Sequence, residues 1–159
     1  MLKPYEGIGF LSLGALLGFI LGRKTRLSDG VDNQTNDPNK YWQSYLMMNE
    51  WMQLRQRGRN LAEFFVERGY KTIAIYGMHH TGITLQNELD GTEIKIAYGI
   101  DANAESIYSD IEVKKPTDDL PPVDAIVVTP IYYFVEIEEK LEERVSCPIL
   151  SLDDVVFGM

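Results

Sequence analysis

In Lys71-Thr-Ile-Ala-Ile-Tyr-Gly-Met-His-His-Thr-Gly-Ile-Thr-Leu-Gln-Asn-Glu-Leu89, an apolar strand pattern runs through a turn bracketed by Gly77 and Gly82 into an amphipathic helix pattern. Gly77 permits a sharp turn at the strand's end and Gly82 permits close packing of the helix, so N–H groups at the helix start can face a phosphate. His79 stands where a full dinucleotide fingerprint carries its second glycine, and its imidazole either hydrogen-bonds a phosphate oxygen or obstructs it. His80 lies in the same loop. Asp101 follows Gly77 by 24 residues, in Tyr98-Gly-Ile-Asp-Ala-Asn103. There a carboxylate either accepts hydrogen bonds from a ribose or closes an Asx turn. Thr129, before Pro130, brings a hydroxyl to the end of another strand pattern, at the sheet edge where ligands of parallel α/β domains bind. These types and spacings imply a nucleotide-type small molecule.

Evidence for a reaction is thinner. His79 and His80 are the only histidines, and with Cys147 as the only cysteine they form no metal-ligand spacing, so no metal is expected. No nucleophile elbow, triad partner or Tyr-x-x-x-Lys pair accompanies them, and the catalytic residues stay unknown. Tyr132 and Tyr133 either stack on a base or belong to the core. Glu136-Ile-Glu-Glu-Lys-Leu-Glu-Glu143 reads as a solvated helix face with an apolar stripe, not a cation site.

These residues need a scaffold, and the pattern from Tyr70 onward supplies one: strand 72–76, helix 81–90, strand 94–98, a short strand near 111–113, strand 124–128, helix 132–143 and strand 148–151. Such alternation predicts an α/β fold, a three-layer domain on a parallel sheet of order 3-2-1-4-5. Ile73-Ala-Ile75 and Ala125-Ile-Val-Val128 are apolar without alternation, as strands covered on both faces should be. Asp118-Asp-Leu-Pro-Pro122 reads as a surface connection. Ahead of the sheet, 40–57 has helical periodicity with a wide aromatic face. Gly58 breaks that helix, Asn60 with Glu63 forms a capping box for a second short one, and Gly69 ends it.

The first 26 residues differ in kind. Gly7 to Gly22 is an uncharged run of 16 residues, roughly 24 Å of helix against about 30 Å of hydrocarbon, with Tyr5, Arg23 and Lys24 at its ends. The following Arg-Lys-Thr-Arg replaces the small-residue cleavage site of a signal peptide and places the C-terminal side in the cytoplasm. Three domains are expected: a membrane anchor over 1–26, a flexible linker over 27–39, and the helical lead-in with its α/β domain over 40–159. Gly14, Gly18 and Gly22 form a small-residue stripe along which two such helices could meet as a homodimer, or which reflects only the glycine content of membrane helices. The net charge of −9 excludes nucleic acid as a partner. Cys147, in an apolar run, is expected to be a buried strand thiol in a reducing compartment.

The segments Ile73–Gly82, Tyr98–Asp101 and Val123–Pro130 resemble small Rossmann-like domains found with bacterial surface-polysaccharide enzymes, over roughly residues 40–156. They are also similar to the N-terminal domain of sugar acyltransferases, where a glycine-flanked, histidine-containing loop after the first strand binds the nucleotide-sugar. The resemblance implies that Gly77, His79, His80, Gly82 and Asp101 line such a pocket. The hexapeptide-repeat β-helix that carries acyl transfer in those enzymes has no counterpart here. Three readings follow. The first is a membrane-anchored cytoplasmic accessory protein that binds a nucleotide-sugar or NAD(P) in envelope polysaccharide synthesis. The second is an interaction module whose aromatic helix 41–54 docks a membrane glycan enzyme. The third is a small NAD(P)-dependent oxidoreductase or epimerase subunit, which requires a substrate domain from a partner.

Overall fold

In the computed structural model, which describes residues 38–159, five strands form one sheet of order β3-β2-β1-β4-β5, all parallel. They are β1 (Thr72–Tyr76), β2 (Lys95–Ile100), β3 (Val113–Lys114), β4 (Ala125–Val128) and β5 (Ile149–Ser151). The expected α/β class and strand order are both present. Two crossovers carry helices, α3 (His80–Leu89) between β1 and β2, and α4 (Phe134–Glu142) between β4 and β5. Before the sheet come α1 (Pro38–Gln56) and α2 (Ala62–Glu67), and after it α5 (Leu152–Phe157). The helix expected from residue 40 begins two residues earlier, because Pro38 fits a first helical turn, where no N–H is needed.

Side chains alternate between two cores, as the pleat requires. Ile73 and Ile75 face one core, shared with Met47, Trp51 and Leu54 of α1, Phe65 of α2, Leu85 and Leu89 of α3, and Val155 and Val156 of α5. Ala74 faces the other, with Tyr98, Ile100, Ile126, Phe134, Ile137 and Leu141. Four helices therefore cover one face, and only α4 covers the second. No helix links β3 to β4. The loop 115–123, which begins with a turn closed by the Asp118 N–H on the Lys115 carbonyl, takes that place, pinned by the Tyr98 phenol, which donates to the Pro121 carbonyl at 2.6 Å, and by Arg144, which donates to the Asp118 carbonyl at 2.8 Å.

Local chemistry explains the punctuation. Gly58 and Gly69 both sit at φ +77°, the left-handed conformation that stops a helix. The Asn60 carboxamide accepts the Ala62 N–H at 2.7 Å while Glu63 accepts the Asn60 N–H at 3.0 Å, the reciprocal capping box. Other boundaries differ from expectation by one or two residues, two of them for a visible reason. β2 runs two residues further than 94–98 because it gains partners on both sides there, Ile75 and Tyr76 in β1 and Val113 and Lys114 in β3. The expected helix start at 132 is a short 3-10 turn, Ile131–Tyr133, and α4 begins at Phe134. Cys147 is half-buried and precedes β5, so it is not a fully buried strand thiol; burial still pushes its thiol pKa up.

Among the described residues no helix is long and apolar enough to cross a membrane. The expected anchor, 1–26, and the linker as far as residue 37 lie outside the described residues.

Candidate functional site

β1 ends at the centre of the sheet, where the chain continues to β2 on one side while β4 lies on the other. That is the topological switch point of a parallel α/β sheet. Gly77 turns there at φ +90°, and its N–H is held by the Ile100 carbonyl at 2.8 Å. A side chain is excluded twice over. The φ is one that L residues rarely adopt, and a Cβ would lie 2.6 Å from Pro130 Cδ and 2.8 Å from Thr129 Oγ1. Gly82 is buried in the first turns of α3, where a Cβ would fall on the Gly77 carbonyl oxygen. The two glycines thus have the roles their spacing suggested: one lets the chain turn, the other lets the helix close down on that turn.

Asp101 and Thr129 brace this turn from either side. Asp101 is 6% exposed. One of its carboxylate oxygens accepts the Met78 N–H at 3.0 Å and the other accepts the Asn103 N–H at 2.9 Å, closing an Asx turn. Thr129 is also buried, and its hydroxyl donates to the Gly77 carbonyl at 2.7 Å. Both side chains spend their hydrogen bonds on the loop backbone. Four of the six candidate residues, Gly77, Gly82, Asp101 and Thr129, therefore meet in one network.

His79 and His80 stand outside that network, both exposed. His79 is the N-cap of α3 in an extended conformation (φ −85°, ψ −156°), and its side chain makes no capping bond. Among the described residues, the backbone N–H groups of His79, His80, Thr81 and Gly82 have no hydrogen-bond acceptor, and the first turn of α3 carries no acidic residue. A ten-residue helix therefore brings its positive dipole end and four unbonded N–H groups to the carboxyl edge of the sheet, beside the exposed His79 and His80.

Met78 was not singled out by sequence reasoning. It occupies the turn's second position and is 1% exposed. A Cβ on Gly99 of β2 would lie 2.6 Å from Met78 Cγ, so the sulfur-bearing chain fills the space a larger residue at 99 would take. The signal was the glycine inside an otherwise β-prone strand, a mark of close approach. Tyr76, at the end of β1, was also passed over. Burial, with Asp101 adding to it, holds its phenol pKa above the ordinary value.

Two hollows open elsewhere. A cleft of about 390 Å³ is lined by Tyr76, Pro116, Thr117, Ile137, Lys140, Leu141 and Arg144, on the α4 face. Another, of about 460 Å³, lies between the C-terminal end of α3 and the start of β2, at the opposite edge of the sheet. Neither is lined by the Gly77–Gly82 turn, which offers an open surface. Among the described residues no group of His, Cys, Asp and Glu side chains is arranged to hold a metal.

Fold and site together define a parallel α/β domain with an exposed helix N-terminus at its switch point. Compared with known proteins, the chain matches no protein-family model, no curated protein and no solved structure.

Proposed function

We propose that this is a Rossmann-like accessory domain that binds a phosphate-bearing ligand, a nucleotide-sugar or NAD(P), on the turn between Gly77 and Gly82. The observation that carries the reading is the start of α3, with its four uncommitted N–H groups at the switch point. His79 and His80 supply adjustable donors beside it. The side chain of Asp101 serves the loop, so the backbone carries the phosphate contact and Asp101 acts on the ligand through the turn it holds. The envelope-glycan setting rests on the resemblance, and the cytoplasmic, membrane-anchored placement rests on the run Gly7–Gly22 and the basic residues behind it.

The test is a thermal-shift screen of the full chain against nucleotide-sugars and dinucleotides. A ligand at a hundredfold excess over its dissociation constant stabilises by about 2.7 kcal/mol, a shift of several degrees. His79→Ala with His80→Ala, both exposed, should leave the unliganded melting temperature unchanged and reduce the shift. No response to any of these ligands at millimolar concentration would refute the reading.

A second reading is favoured by one specific observation. Tyr41, Trp42, Tyr45, Leu46, Met48 and Met52 of α1 are between 38% and 63% exposed, a large apolar surface for one helix. On this reading the domain is a docking module, whatever it binds at the turn.

A further inference from the structure

The exposed apolar residues of α1 are ordered. Tyr41, Tyr45, Met48 and Met52 follow one another at intervals of four, three and four, the repeat of a coiled-coil seam. This stripe is separate from the buried one, Met47, Trp51 and Leu54, with which α1 packs on its own domain. Trp42 extends it, stacked on Tyr45 with ring centroids 5.5 Å apart.

We propose that this seam is a two-fold interface and that its occupant is α1 of a second copy of the chain. Three observations favour a second copy. First, Ser44, Asn49 and Gln56 beside the seam are uncharged, and Arg55, which continues the repeat at its C-terminal end, is paired with Glu88 of its own protomer at 3.8 Å. The charged groups of α1 have partners within the protomer: Lys40 donates to the Tyr133 hydroxyl, Glu50 accepts from Arg57, and Arg55 donates to the Arg59 carbonyl. Two identical seams thus meet without like-charge repulsion, whereas an anionic membrane surface would find no row of free cations along the stripe. Secondly, the area is of the right order. Fully covered aromatic side chains bury about 150–250 Å² each, so three of them with Met48 and Met52 bring roughly 1,000 Å² across two copies, the lower edge of a specific interface. Thirdly, 15 residues separate the end of the apolar run at Gly22 from Pro38, a reach of about 50 Å. Two chains anchored in one membrane would hold their α1 helices at a millimolar-scale effective concentration. That third point rests on the membrane reading above; the seam does not.

Cysteine cross-linking of the full chain in its own membranes tests the interface. In a Cys147→Ser background, Met48→Cys lies on the seam and Gln53→Cys is exposed on another side of the helix. Mild oxidation should convert most of the Met48→Cys chain to a disulfide-linked dimer and give at least tenfold less with Gln53→Cys. Adding Tyr45→Glu should remove the Met48→Cys dimer while the far-UV spectrum is unchanged. Equal linking at both positions, no dimer at Met48→Cys, or an adduct with a different protein would overturn the proposal. If the chain fractionates as soluble, the membrane reading fails, and the same cross-linking at about 100 μM in solution decides the seam by itself.

Discussion

The turn at Gly77 depends on hydrogen bonds that reach across the chain. Thr129, 52 residues away, caps the Gly77 carbonyl, and Asp101 holds the Met78 N–H from 23 residues away. Thr129→Val keeps the shape and removes the donor, leaving a half-buried carbonyl unpaired at a cost of about 1 kcal/mol, to be read by urea denaturation. Tyr98 gives a pH test. Its phenol pKa is pushed up to about 12 by burial, with Cys147 and Asp119 adding to the shift. The unfolded phenol ionises near pH 10, so the protonated folded form contributes its stability in full below about pH 10 and loses it as the pH rises towards 12. Tyr98→Phe lacks the hydrogen bond to Pro121 and should be less stable at neutral pH by about 1 kcal/mol. Denaturation curves should show the gap to wild type closing between about pH 10 and 12. The glycine pair was legible in the sequence because a strand-turn-helix pattern restricts where backbone must bend. What Asp101 and Thr129 bond to was not, since both have polar partners that only the folded sheet brings near.

At the scale of elements, one carboxylate joins three helices. Glu88 of α3 accepts the Trp51 indole N–H at 2.5 Å and the Leu61 N–H at 2.9 Å, tying α1 and the start of α2 to α3. Its side chain is 7% exposed. Glu88→Ala leaves both donors without an acceptor and should cost about 3 kcal/mol in chemical denaturation, with a change in Trp51 fluorescence. Glu88→Gln, which keeps an acceptor oxygen, should lose less. In the sequence this glutamate is one polar residue among several on an amphipathic helix, and no spacing marks it. The strands were legible because runs such as Ala125–Val128 are apolar on both faces. The closing helix α5 was not recognised: its buried Leu152, Val155 and Val156 have helical spacing, but over six residues a pattern this short is ambiguous with strand.

Across the whole molecule, alternating strands and helices left few ways to order the sheet, which is why its 3-2-1-4-5 order was readable before the structure. The asymmetry of the layers was not readable. Four helices crowd one face, and α1 covers part of it while keeping a second apolar stripe exposed. On the proposed reading the ligand meets the edge of the sheet and not an enclosed cavity. A titration followed by amide NMR observes that edge directly. With the nucleotide-sugar or dinucleotide that gives the largest thermal shift, the amide signals of residues 77–82 should move together and saturate, while those of α1 stay fixed. Saturating shifts confined to the 390 Å³ cleft around Tyr76, Lys140 and Arg144, or no shift at the turn at millimolar ligand, would contradict the assignment of the phosphate to the start of α3.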